Sequence, residues 1–264
     1  MQDVPLSAVC LLSVLGVASF LVLLLAAVRL WHRLPILPAV EKPQPRVQWI
    51  SLLLVLAWVG MQLLALTAEL PDTGRKATIE SVQATCLLNS LMFLAVFIPM
   101  TYPGGSHVEE FGFHLDNWRR QIAEGFLGFA ASIIPVIAAW TLTLPWRSSE
   151  NQHGLLQLLE QDQSATTLLW IVLAAVVLAP IVEELIYRVI LQTWLQQKAP
   201  PREALVAVAV VFAAVHRLPD AIPLLPLALV LGYVYQQRRC FLTVVLIHML
   251  FNAANLALAL LTLS

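Results

Sequence analysis

Ala179-Pro-Ile-Val-Glu-Glu-Leu-Ile-Tyr-Arg-Val-Ile-Leu-Gln192 places two carboxylates and an arginine inside otherwise apolar sequence. An ionised side chain in hydrocarbon costs on the order of several kcal/mol unless it snorkels or pairs, so charge in such a setting marks a functional site by default. On a helix, Glu184 and Arg188 stand one turn apart and can pair, while Glu183 points about 100° away. The arginine is therefore expected to hold one acid and leave the other free to work.

The surrounding chain makes the setting a membrane. Its 264 residues are 59% hydrophobic and 12% charged, with a mean hydropathy of +0.81, and the apolar residues form long unbroken runs rather than amphipathic stripes. That pattern is an all-α, polytopic helical membrane bundle. A β-barrel would alternate in short segments, and a soluble domain would not carry so many apolar windows of roughly 20 residues. No basic tract exists to neutralise phosphates, which excludes a nucleic-acid partner. Cys10, Cys86 and Cys240 are far apart, lack CxxC spacing and read as small buried hydrophobes. Met1 to Pro5 lacks the positive region of a signal peptide, so the first apolar run is expected to be a retained helix.

About eight spans are expected: Val4 to Leu30, Val47 to Ala68, Thr78 to Met100, Ile122 to Leu144, Ala165 to Gln197, Ala204 to His216, Ala221 to Gln236 and Phe241 to Leu263. The sixth and seventh are short, which suits tilted, broken or shielded segments. Between the fourth and fifth, the amphipathic piece His153 to Glu160 is expected at the interface. Odd-numbered loops carry Arg29, Arg33, Lys42, Arg46, Arg119, Arg120, Lys198, Arg202, Arg238 and Arg239; even-numbered loops carry Arg75, Lys76, Arg147 and Arg217. By the positive-inside rule this asymmetry puts both termini outside the cytoplasm. Polar residues within spans are few before Pro145 and cluster after Ala179. Residues 1–150 are thus read as scaffold or access helices and 151–264 as the catalytic core, without a folding boundary between them.

Beyond the carboxylates, Phe212 and His216 share one helical face, and so do His248 and Asn252, each pair four residues apart. At about 1.5 Å per residue, Glu183 and His216 each lie roughly 20 Å from the charged cytoplasmic ends of their helices, and His248 about 14 Å from Arg239. One site is geometrically allowed. Its chemistry would be hydrolysis: a carboxylate in an apolar pocket takes a proton from water and returns it to a leaving amine. A histidine can orient that water, and a His and an Asn can donate to the oxyanion of a tetrahedral intermediate. No serine nucleophile motif is present.

Glu183-Glu184-Leu-Ile-Tyr-Arg188 fits EExxxR, Phe212 to His216 fits FxxxH and His248 to Asn252 fits HxxxN, in that order and on separate helices. Together they resemble the CPBP family of intramembrane glutamic endopeptidases, the type II CAAX prenyl protease and bacteriocin-processing family. The resemblance covers about Leu168 to Leu256. It implies a bundle of eight or so helices around a membrane-embedded polar cavity open to the cytoplasm, working without a metal or other cofactor. It also implies catalytic roles for Glu183 and His216 in activating water and for His248 and Asn252 as the oxyanion hole. Glu184, Arg188 and Phe212 support them. Tyr187 stands where Phe is common. The substrates implied are peptides or lipidated proteins at the bilayer, such as prenylated C-termini or leader peptides, with a bacterial plasma membrane as the default location. The sequence does not set the oligomeric state.

Plainer readings compete. Glu184 and Arg188 could form a buried pair that only fixes helix packing. His216 could simply face water, and His248 with Asn252 could be interhelical glue. Asn255 is expected at a helix contact, and His32, His107, His114 and His153 are assigned nothing. Two histidines and a glutamate are also the ligand set of a catalytic zinc, although HExxH is absent. A proton-coupled carrier or a non-catalytic scaffold is the remaining alternative; against a carrier, the first half holds no polar counterpart to the second.

Overall fold

Long apolar runs have no polar solvent to satisfy their backbone, so each must close its hydrogen bonds internally as a helix. The computed structural model describes residues 5–40, 44–67, 77–102, 106–147 and 154–263 and contains no strand among them. The helices are α1 (Leu6–Trp31), α2 (Trp49–Thr67), α3 (Ile79–Met100), α4 (Trp118–Leu142), α5 (Gly154–Gln161), the long α6 (Ala165–Gln196), α7 (Pro201–Ala214), α8 (Ala221–Arg238) and α9 (Phe241–Leu263). Local chemistry sets several starts. Thr78 and Ser81 form a reciprocal capping box at α3, Ser164 accepts from the Thr167 N–H at α6, and Pro201 opens α7 where a missing N–H costs nothing.

Six helices, α1 to α4, α6 and α9, are long and apolar enough to cross a membrane. The other two expected spans are helical: α7 is short, at 14 residues, while α8, at 18, is less apolar and ends in Gln236, Gln237 and Arg238. Val4, Lys42, Ala68, Arg75, Lys76 and His153, named above, lie outside the described residues. The expected interfacial helix is α5, and it is also anchored: Leu158 and Leu159 are buried against Val82, Cys86 and Ile171. Cys86 and Cys240 are buried as expected, but Cys10 is exposed on α1. An apolar residue facing lipid and one facing the core look alike in sequence, because both surroundings are hydrocarbon.

Contacts between loops define the two ends of the bundle. At one end, the Leu37 N–H donates to Tyr233 Oη, Val40 N–H to the Gln237 carbonyl, Gln197 Nε2 to the Pro45 carbonyl and Phe241 N–H to the Gly112 carbonyl. The α1–α2, α3–α4, α6–α7 and α8–α9 connections therefore meet there, and with them Arg29, Arg33, Arg46, Arg119, Arg120, Lys198, Arg202, Arg238 and Arg239. The opposite end holds Arg147, paired with Asp220 at 2.8 Å, and Arg217. Exposed Trp31, Trp49 and Trp118 ring the first end, and exposed Trp140 and Trp146 the second, as interfacial belts do.

Gly112 pins the α3–α4 connection to the α8–α9 turn. Its φ is +102°, and a Cβ there would come within 2.6 Å of the Arg239 carbonyl oxygen, so only glycine fits. On α4, a Cβ at Gly128 would collide with Ile247 Cδ1, so glycine lets α4 lie close against α9. One buried cluster runs from Val55, Val96 and Phe129 through Leu185, Ile186 and Ile190 to Leu231 and Ile247. Its centre is the second half of α6, where every residue from Leu185 to Gln192 is buried.

Candidate active site

Helix α6 carries the carboxylates and is not a uniform α-helix. Two π-helical stretches, Val172–Leu178 and Leu185–Gln192, flank the α-helical turn Ala179–Glu184. π-Helical insertions concentrate at functional sites. The cause of the first is legible: Pro180 lacks an N–H and its ring crowds the carbonyl four residues back, so the helix widens ahead of it.

Glu184 and Arg188 are both fully buried, with Arg188 Nε 3.2 Å from Glu184 Oε2, an ion pair without hydrogen-bond alignment. The guanidinium also lies over the Phe212 ring, 4.8 Å from its centroid. The pairing expected from helical spacing is present, but Glu184 does more. Its other oxygen, Oε1, is 2.9 Å from His248 Nδ1. Glu183 makes no ion pair with the arginine among the described residues and is 27% exposed, while its Oε2 stands 3.8 Å from His248 Nε2. His248 thus sits between two acids, one buried and one open to solvent or substrate.

Phe212, fully buried, joins the remaining groups. Its ring centroid lies 5.1 Å from that of Tyr187, 5.0 Å from that of His216 and 5.8 Å from that of His248. His216, half-buried just past the end of α7, has its Nδ1 2.8 Å from the Phe212 carbonyl. A carbonyl only accepts, so Nδ1 carries the hydrogen and Nε2 keeps a free lone pair. An ionised Glu184 imposes the same assignment on Nδ1 of His248. Glu183 and His216 make no hydrogen bond or ion pair with each other among the described residues.

Asn252, one turn beyond His248 on α9, donates from Nδ2 to the Ala175 carbonyl at 2.7 Å. That acceptor lies in the first π stretch. The structure therefore gathers Glu183, Glu184, Arg188, Phe212, His216, His248 and Asn252 around α6, α7 and α9. Two links were not foreseen in the sequence: Glu184 to His248, and Asn252 to a backbone carbonyl. Asn255, expected at a helix contact, is exposed instead, because α9 turns that face outward. For the zinc reading, no group of three His, Cys, Asp or Glu side chains among the described residues is close enough to share an ion.

Residues 165–254 match the family model described as type II CAAX prenyl endopeptidase Rce1-like. The chain carries an Rce1-like domain. It runs from the start of α6 into α9 and includes each of the three motifs, so the resemblance drawn from those motifs is correct. The match, together with six helices long and apolar enough to cross a membrane, supports a multi-pass membrane protein with a domain of the CAAX-protease type. No curated protein and no solved structure matches the chain.

Proposed function

We propose that this protein is an intramembrane endopeptidase in which Glu183, rather than a nucleophilic side chain or a metal, activates the attacking water. The observation that carries the reading is the partly exposed Glu183 beside His248, in a site otherwise closed by the buried Glu184–Arg188 pair. Glu183 takes a proton from water, whose oxygen attacks the peptide carbonyl. His216, with its Nε2 lone pair free, orients that water. The tetrahedral oxyanion accepts hydrogen bonds from His248 and Asn252; the C–N bond then breaks, and the proton on Glu183 passes to the leaving amine.

Glu184 has a positioning role in this scheme. With Nδ1–H held by its carboxylate, His248 can donate from Nε2 only as the imidazolium, and Glu184 supplies the counter-charge. Arg188 in turn pairs with the other oxygen of Glu184. Phe212 fixes both histidines by ring contact.

The wider reading is an assembly of eight membrane segments, with α7 and α8 a shorter hairpin shielded by the long helices. Helices α1 to α4 form scaffold and access, and residues 151–264 the catalytic core. Both termini lie outside the cytoplasm of a bacterial plasma membrane, and the site opens toward the cytoplasm. The arginine-rich end and its tryptophan belt support that orientation. Substrates are peptides of membrane-attached proteins, prenylated C-termini in the first place. The test is cleavage in proteoliposomes of a farnesylated CAAX-type peptide against its unprenylated twin, with and without a chelator. Cleavage that favours the lipidated peptide and survives chelation supports the reading, whereas loss on chelation returns the zinc mechanism.

A further inference from the structure

The site contains a hydrogen bond whose origin is a missing proton. In the first π stretch of α6 each N–H reaches back five residues, and the series ends with Ala179 N–H on the Ala174 carbonyl. The next carbonyl, that of Ala175, would take its donor from residue 180, and residue 180 is Pro, with no N–H to give. A buried carbonyl without a donor costs as much as a lost hydrogen bond. Asn252 Nδ2 fills that place at 2.7 Å, from a helix 77 residues further along the chain.

A side-chain donor also serves the exit of the second π stretch, although no proline stands there and the Thr193 N–H goes to the Ile190 carbonyl. There the Arg188 carbonyl accepts from the Thr193 hydroxyl at 3.3 Å. At that exit the donor comes from α6 itself, whereas at the first it comes from α9, and it comes from one of the residues read as oxyanion donors. A carbonyl acceptor also selects which end of the amide faces it. Only the NH2 group can bond to Ala175, so Oδ1 must point elsewhere, and the second hydrogen of Nδ2 remains for substrate.

The geometry points to Pro180 as a positioning residue for Asn252: by withholding an N–H from the Ala175 carbonyl, it creates the acceptor that fixes the orientation of the Asn252 amide. This inference rests on the proposed role of Asn252 for its catalytic consequence, but not for its structural one. Pro180 is buried and touches no reacting atom. It acts through the backbone.

The two consequences are measured separately. In protein labelled with 13C at alanine carbonyls and 15N at asparagine side chains, solid-state NMR of the wild type in bilayers is expected to show the Asn252 Nδ2 to Ala175 contact, with Asn252→Ala assigning the signal. Absence of that contact overturns the inference without any substitution at Pro180. Pro180→Ala restores an N–H, so the contact is expected to disappear and kcat to fall on the order of tenfold to a hundredfold, with KM unchanged; removal of one oxyanion donor sets the upper bound at about 10²–10³. In an Asn252→Ala background Pro180→Ala is expected to cause no further loss. Lactic acid at position 180, which lacks both the ring and the N–H, is expected to keep the contact and the wild-type kcat. If the lactate variant instead loses both, the ring and not the absent proton positions Asn252, and the inference fails. An unchanged contact and kcat in Pro180→Ala overturn it as well. If wild type cleaves no peptide, or Asn252→Ala cleaves normally, the proposed function fails while the NMR contact still decides this link.

Discussion

Helix α1 and the second half of α6 are both apolar, yet they are built to opposite specifications. Of the 26 residues in α1, only Ala8 and Ser19 are buried, whereas Leu185–Gln192 is buried at each of its eight positions. Hydrocarbon faces α1 on most sides, and it needs no more than length and apolarity to stay in place. The α6 segment is surrounded by protein, and there it holds Arg188, Tyr187, Gln192 and, just before them, Glu184. In a bilayer the apolar residues do not sort inside from outside, since lipid is as good a solvent for leucine as the core is. What sorts them is which helix carries polar groups that need partners.

That contrast can be broken or sharpened by substitution. The largest stability effect is expected at the buried ion pair. Arg188→Met leaves the buried Glu184 with His248 as its one partner, and should cost about 3–5 kcal/mol, while the double change Glu184→Leu with Arg188→Met, which removes the buried carboxylate as well and leaves only His248 Nδ1 without its acceptor, should cost less. Equilibrium unfolding in detergent measures both, and a single substitution as mild as the double one would contradict the pairing. A smaller loss is expected at Gly112. Its backbone lies in the left-handed region and against the Arg239 carbonyl, so Gly112→Ala should cost about 2 kcal/mol. Gly16 on α1 has nothing within 4 Å of a Cβ position, and Gly16→Ala should stay within about 0.5 kcal/mol of wild type. The same unfolding series compares the two glycines directly. Close to that lower limit, Ser51→Ala on α2 removes a hydroxyl that donates to the Val96 carbonyl at 2.9 Å, for about 0.6 kcal/mol, the usual scale of a hydrogen bond between membrane helices.

Much of this was readable in the sequence, for physical reasons that also mark where reading stopped. Long apolar runs and the basic asymmetry of the loops give the helices and the ends their connections share. Spacing gives the Glu184–Arg188 pair, because four residues is one turn. Spacing does not reveal that Glu184 also reaches His248, 64 residues away, since which acid a distant histidine meets depends on how α6 and α9 are rotated against each other. The Asn252 contact was less legible still, because its acceptor is a backbone carbonyl that any residue carries. The only trace of it was Pro180, and its meaning depends on the helix being π-wound just before it. Helix α7, at 14 residues, falls short of ordinary spanning length, and α8, at 18, ends its apolar run in Gln236, Gln237 and Arg238, so neither has the unbroken apolar length of the other six. Asn255 and Cys10 were misplaced because rotation about a helix axis has no signature where both sides are apolar.

The central claim is that Glu183 does the chemistry while Glu184 holds the site together. The most direct measurement is peptide cleavage in proteoliposomes, followed by mass spectrometry, comparing wild type with Glu183→Gln in the presence of a chelator. The substitution is nearly isosteric and touches the partly exposed acid, so the fold should be retained while the rate falls by at least about 10²–10⁴. Products that appear unchanged from a folded Glu183→Gln enzyme would contradict the account.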